Sequence, residues 1–173
     1  GGMSYTFSAA EGGKIGDSLL EADKIDLAKE FMAKGAGKLF LPVDTVEANA
    51  FDNATEIRTV KAGAVDDGFQ GLDIGPESVE LFKKELEGAK TVFWNGPMGV
   101  FEKPEYAKET VAVCEAMANL EGATTIIGGG DSASAAKNLG FADKFSHIST
   151  GGGASLEFME GKELPGVAII PEK

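Results

Sequence analysis

The chain of 173 residues has one cysteine, one histidine and one tryptophan, and Arg58 is its only arginine. Cys114 alone can form neither an internal disulfide nor a cysteine zinc site, which fits a reducing compartment and gives a cytoplasmic expectation. Long apolar runs are also missing. Uncharged stretches such as 123–130 reach about eight residues, against the ~20 that a membrane helix needs. Gly1–Gly2–Met3–Ser4–Tyr5 carries no basic region followed by an apolar stretch, so no secretory signal is read there. Basic charge is scarce, with 16 Lys and Arg against 28 Asp and Glu and a net charge of −12. That balance argues against nucleic acid and anionic membranes as partners, because both are bound through clustered cations. A phosphate ligand would have to be held by backbone N–H groups, lysines or a metal. No Gly-x-x-x-x-Gly-Lys-Ser/Thr loop occurs, which removes the P-loop enzymes.

Glycine is abundant instead, at 24 residues, and most of the excess lies in turns at the ends of β-rich runs. The stretches 39–44, 91–96, 124–128 and 147–151 are short, β-branched or aromatic, and end in Gly, Asp or Asn, so they read as buried strands. Helical spacing lies between them. It runs over 23–32, from Pro76 with Val79, Phe82 and Leu86, and from Pro104 with Tyr106, Thr110, Val113, Cys114 and Met117 on one face. Shorter helices are expected over 132–139 and 152–159. Apolar strands alternating with helices predict the α/β class, a doubly wound parallel sheet in a Rossmann-like three-layer sandwich. Gly1–Gly2 running into Met3–Phe7 reads as a strand-to-helix turn, so the first strand or strands of the full domain are expected to be absent. An edge strand would then expose unpaired backbone and apolar core.

Ligands in such sheets bind beyond the C-terminal strand ends. Gly128–Gly129–Gly130–Asp131–Ser132 occupies such a place, where glycines permit close approach and a helix N-terminus attracts phosphate. Asp131 would repel that phosphate unless a cation such as Mg²⁺ lay between, or else it caps the helix. Gly151–Gly152–Gly153–Ala154–Ser155 repeats the arrangement, either as a second set of phosphate donors or as a tight βα turn. The loop from Trp94 to Glu102 combines apolar side chains, an amide and a terminal carboxylate, which suits an adenine ring and ribose hydroxyls, or a buried connection. Gly128–Ala133 also satisfies G-x-G-x-x-A, the NAD-binding oxidoreductase pattern. That reading lacks its acidic residue about 20 positions on, where Ser149–Thr150–Gly151 stands. His147 reads as support for its strand or the hinge rather than as a general base, Cys114 as a core thiol and Trp94 as packing rather than as a stacking platform.

The segments GGMSYTF, LPVD, GLDIGP, TVFWNGPMGVFE, TTIIGGGDS, HISTGGGASLE and ELPGVA closely resemble the C-terminal, nucleotide-binding domain of phosphoglycerate kinases. The resemblance implies one nucleotide-binding domain over residues 1–173 and a glycolytic phosphotransferase moving phosphate between 1,3-bisphosphoglycerate and ADP, giving 3-phosphoglycerate and ATP with Mg²⁺. Carried over by position, Gly1, Gly2, Gly71 and Leu72 would line the adenine site. Asn95, Pro97 and Val100 would pack against the nucleotide, and Glu102 would hold the ribose. Gly129, Gly130, Asp131 and Ser132 would surround the phosphates, with Asp131 the metal ligand. Gly151, Gly152 and Gly153, together with Gly129, would serve the moving phosphoryl group. The resemblance further implies an N-terminal phosphoglycerate-binding domain and a lysine-bearing Gly-Ala-Lys segment upstream of Gly1, neither of which is expected in this chain. The chain alone is therefore expected to bind nucleotide without appreciable turnover, as a non-catalytic module would.

Overall fold

The computed structural model describes residues 1–171 and divides into two compact units. The first comprises Gly1–Glu87 with Met98–Val113. It opens with helix α1 (Met3–Ala10), continues through a short strand β1 (Lys14–Ile15) and reaches α2 (Ile25–Lys34) by way of a 3-10 turn at Ala22–Lys24. Its sheet consists of β2 (Asp44–Ala48), β3 (Ile57–Lys61) and β5 (Gln70–Ile74) in the order β3-β2-β5, with both pairings antiparallel. Strand β4 (Ala64–Val65) pairs in parallel with β1. Helix α3 (Pro76–Leu86) follows β5, and a 3-10 turn at Pro104–Tyr106 leads into α4 (Lys108–Ala118), whose later residues belong to the second unit.

The second unit is built on Gly88–Pro97 and the chain from Cys114 onward. It holds a parallel sheet of β6 (Thr91–Trp94), β7 (Thr124–Gly128) and β8 (His147–Ser149), in the order β6-β7-β8. Helix α5 (Gly130–Asn138) connects β7 to β8, and α6 (Gly152–Met159) and α7 (Pro165–Ala168) follow. The mixed α/β class therefore holds. Parallel strands alternate with helices in the second unit, and the first unit adds an antiparallel sheet that hydrophobic runs did not announce. Among the described residues no helix is long and apolar enough to cross a membrane.

Two segments differ from the sequence reading. The run 39–43 is not a strand: the ladder begins at Asp44, preceded by a single bond from the Ala62 N–H to the Val43 carbonyl (2.9 Å). The reason is that β2 is a central strand bonded on both sides, and Pro42 has no N–H to donate to such a ladder. The GLDIGP segment, not among the expected strands, contains one: Gln70–Ile74 forms β5, because pairing with β2 and burial of Leu72, Asp73 and Ile74 outweigh the poor strand propensity of Gly71 and Asp73. The helices are closer to expectation. Pro104 opens a 3-10 turn, while the α-helix proper starts at Lys108. Helix α5 ends where Phe141 N–H reaches the Ala136 carbonyl (2.7 Å) and Gly140 takes φ +78, a left-handed stop that favours glycine. Trp94 stacks on Phe145 with ring centroids 6.0 Å apart, and Cys114 is fully buried, with its thiol pushed up to about 12 by that burial.

Buried acidic side chains fix the first unit. Asp44, 4% exposed, accepts the N–H groups of Glu77 and Ser78 at 2.9 Å each and the Ser78 hydroxyl, so a carboxylate of β2 caps the start of α3. Gly75, the last residue before that helix, has no room for a side chain because a Cβ there would overlap the Asp44 carboxyl. Glu47, fully buried, pairs with Arg58 Nε (2.6 Å) and accepts the Asp66 N–H (3.0 Å), while Arg58 also meets Asp66 and lies over the Phe69 ring at 4.2 Å. Asp44→Ala is expected to lower unfolding free energy by about 1–2 kcal/mol, since three charge-assisted or capping bonds go at once. Urea denaturation followed by circular dichroism checks this, with Asp44→Asn expected to retain part of the loss.

Candidate functional site

In the second unit the site grows out of strand register. Strands β7 and β8 run in parallel with Gly128 opposite Ser149, and the ladder extends one step further through a Gly129 N–H bond to the Ser149 carbonyl (2.9 Å). The two glycine turns therefore leave the sheet side by side. A Cβ at Gly152 would stand 2.8 Å from the Gly129 Cα, so these backbones come together only because Gly152 has no side chain. Gly129 also has φ +93, in the left-handed region. The amide oxygen of Asn95, on the loop after β6, lies 3.1–3.3 Å from where a Cβ would stand at Gly128, Gly129 and Gly152. One side chain thus rests against both turns.

Each turn opens into a helix without a side-chain cap. The first backbone bond at the start of α5 is donated by Ala133 to Gly129, and that of α6 by Ser155 to Gly151. The N–H groups of Gly130, Asp131 and Ser132, and of Gly152, Gly153 and Ala154, precede those ladders, and the positive ends of two helix dipoles accompany them. A Cβ at Gly130 or Gly153 would meet nothing within 4 Å, so open space lies in front of both turns. The Ser149 and Ser155 hydroxyls, 2.8 Å apart, tie the end of β8 to the first turns of α6.

Asp131 is exposed and lies in the first turn of α5, while Gly129 holds the cap position and no side-chain cap forms, so helix capping does not account for the carboxylate. Among the described residues no group of three His, Cys, Asp or Glu side chains comes together as a metal cage. The donor set fits Mg²⁺ in one way only: Mg²⁺ is commonly held by one or two carboxylates, with phosphate oxygens and water completing the octahedron, and Asp131 can supply one such carboxylate. Ser132 is 1% exposed and its hydroxyl accepts the Gly96 N–H at 2.6 Å, which holds the side chain against the neighbouring loop while its own O–H and its backbone N–H remain donors. Pro97 follows Gly96 on the same loop, half-buried.

In the first unit the remaining sequence-selected residues form a separate group. The Gly1 nitrogen donates to the Met98 carbonyl (2.6 Å), and Gly2 stands at the start of α1. Gly71 donates its N–H to the Ser18 hydroxyl (2.9 Å) and can carry no side chain, because the Tyr5 ring occupies that space. Leu72 accepts the Val100 N–H (2.9 Å) and is buried, whereas Glu102 is exposed. Sequence reasoning missed Asp73, which stands next to Leu72 at 3% exposure and bonds the Ile74 N–H (2.8 Å). Burial pushes its carboxyl up to about 7, and Glu109 adds to the rise while backbone N–H groups oppose it. Gly99 passes directly over this carboxyl, where a Cβ would overlap it. A charged residue flanked by Leu72 and Ile74 was the available signal.

The model of the phosphoglycerate kinase family matches residues 1–162. A phosphoglycerate kinase of Macrococcus caseolyticus is 64% identical over all 173 residues, and one of Spiroplasma citri is 61% identical. The chain spans 44% and 42% of their respective lengths. Among solved structures, the phosphoglycerate kinase of Coxiella burnetii is similar with a TM-score of 0.89 and 39% identity, covering 98% of this chain and 44% of that one. That of Pyrococcus horikoshii gives 0.80 and 31%, covering 95% and 42%.

Two outcomes are expected from these contacts. Gly152→Ala should force the paired turns apart and weaken binding of inorganic pyrophosphate by about tenfold or more, at a stability cost of about 1–3 kcal/mol; calorimetric titration beside a thermal melt separates the two effects. For Asp73, the folded carboxyl holds its proton more tightly than the unfolded one, so its contribution to stability is fully present below about pH 4 and is lost as pH rises to about 7. Asp73→Asn is therefore expected to be more stable than the parent at pH 8, with the difference shrinking toward pH 4 in urea titrations.

Proposed function

The chain belongs to the phosphoglycerate kinase family, and on that premise we propose that it is the adenine-nucleotide-binding part of an enzyme that moves a phosphoryl group between 1,3-bisphosphoglycerate and ADP. The observation that carries this reading is the pair of uncapped helix N-termini on touching glycine turns in the second unit, a neutral cradle suited to polyphosphate. Gly130, Asp131 and Ser132 contribute backbone N–H groups to the phosphates, Gly129, whose N–H is bonded to Ser149, lets the backbone approach them without a side chain, and Gly151, Gly152 and Gly153 face the phosphoryl group in transit. Asn95 holds the two turns in register, with Pro97 beside it. Asp131 is the ligand for Mg²⁺, which when bound offsets phosphate charge. In the first unit, Gly1, Gly2, Gly71, Leu72 and Val100 serve the adenine base, and Glu102 the ribose hydroxyls.

No lysine or arginine lies within residues 94–102, 128–132 or 151–155, and Arg58 is engaged with Glu47 and Asp66. Phosphoryl transfer depends on cationic stabilisation of the moving group. Phosphoglycerate and the cations that stabilise the transfer are accordingly assigned to the portion of the relatives' length that this chain does not span. A cytoplasmic setting accords with the single, buried thiol of Cys114.

Calorimetric titration of the chain with ADP and ATP, with and without Mg²⁺ and with NAD as control, tests the reading. Adenine nucleotides are expected to bind and NAD not. Asp131→Ala should remove only the part of the affinity that depends on Mg²⁺, and a coupled assay should show turnover below about a tenth of that of a full-length relative. Tighter binding of NAD than of ATP would overturn the proposal.

A further inference from the structure

We propose that Tyr106 is a positioning residue for nucleoside recognition: its ring anchors the buried cluster that holds Leu72 and against which Val100 packs, and through the turns that lead to it, it also sets Glu102. This rests on the assignment of Leu72, Val100 and Glu102 to the base and ribose.

The observations are contacts within the first unit. Tyr106 is 1% exposed and forms a buried cluster with Ala48 of β2 and Leu72 of β5, against which Val46, Ala54 and Val100 pack. Leu72 and Val100 are also joined through their backbones by the 2.9 Å bond. From Val100 the chain returns to Tyr106 in two successive turns, with Lys103 N–H bonded to the Val100 carbonyl (3.0 Å) and Tyr106 N–H to the Lys103 carbonyl (2.9 Å). Glu102 lies inside the first of these. Lys103 is held outside by Asp52 and lies over the Phe51 ring at 4.4 Å, so the turn is fixed at its middle as well as at its buried end. Among the described residues the exposed carboxylate of Glu102 makes no hydrogen bond or ion pair, and it takes its place from the ring of Tyr106, further along the same turns.

The Tyr106 hydroxyl is buried without a hydrogen-bond partner. An unpaired buried hydroxyl opposes folding, so the hydroxyl adds nothing to the cluster and the ring carries the role. That separates two substitutions. Tyr106→Phe keeps the ring and removes the orphan group. Tyr106→Leu leaves the cluster apolar but takes away the ring that fills it beside Leu72, on the cluster against which Val100 packs.

The test is calorimetric titration of the chain and both variants with adenosine, ADP and inorganic pyrophosphate in Mg²⁺, beside thermal melts. Tyr106→Leu is expected to weaken adenosine and ADP by the same factor, about tenfold, and to leave pyrophosphate within about twofold of the parent. Tyr106→Phe should bind all three as the parent does and melt at the same temperature or higher. A general loosening of the fold would instead weaken pyrophosphate in parallel. That result, unchanged adenosine binding by Tyr106→Leu, or loss of adenosine by Tyr106→Phe would each overturn the proposal. If the leucine variant has no cooperative melt, Tyr106→Met is read in its place by the same criteria. Failure of the parent to bind ADP overturns the nucleotide reading and this proposal with it, whereas a parent that binds ADP with Tyr106→Leu unaffected overturns this proposal alone.

Discussion

The second unit depends on one close approach, the contact between the backbones of Gly129 and Gly152. Parallel neighbouring strands end about 4.8 Å apart, so the turns that leave them must either diverge or do without side chains. Here they do without. Because the turns stay together, the two helices that follow start side by side with their free N–H groups adjacent, and the Asn95 amide can lie against both. The Gly96 N–H bond to Ser132 then ties the neighbouring loop to the first turn of α5. A methyl group at Gly152 would push the two turns apart, and one at Gly129 would have to adopt a left-handed φ of +93 that side-chain-bearing residues rarely take.

The first unit solves a different problem with a chain rich in acid. Asp44, Glu47 and Asp73 are all buried, and each is answered mainly by backbone N–H groups or by one cation. Burying a carboxylate is tolerable when its oxygens are satisfied. The only arginine is spent in this way, clamped between Glu47, Glu56 and Asp66 over Phe69. It holds strands together, and so no arginine fork is left for a ligand. At Asp73 the carboxyl lies beneath the Gly99 backbone, and burial pushes it toward neutrality.

How much of this was legible in the sequence divides along the same line. The parallel strands and the two glycine turns announce themselves, because a short apolar run ending in triple glycine is what a buried strand turning tightly into a helix requires, and the limits of α6 follow from local pattern alone. The antiparallel sheet does not. Strand β5 contains Gly71 and Asp73, poor strand formers whose place is set by partners on β2, and β2 itself begins at an aspartate shortly after a proline. Such strands exist through tertiary pairing and not through propensity. Among the candidate residues, position along the chain marked Ser132 but could not foretell that its hydroxyl would be taken by Gly96. Nor did anything local mark Tyr106 as more than one face of a helix, since its importance comes from Leu72 and Val100, which reach it through folding.

Charge sets the last condition on the glycine cradle. Each helix N-terminus presents roughly half an elementary positive charge, so the pair on α5 and α6 supplies about one. Asp131 cancels that. A nucleotide polyphosphate brings several negative charges to a surface that is locally near neutral, on a chain whose net charge is −12. Hydrogen bonds from oriented N–H groups can fix the geometry of such an anion, but they cannot offset its charge. The cradle is thus complementary to a polyphosphate that arrives with a divalent cation, and the aspartate that would be a liability toward bare phosphate becomes the residue that selects for that state.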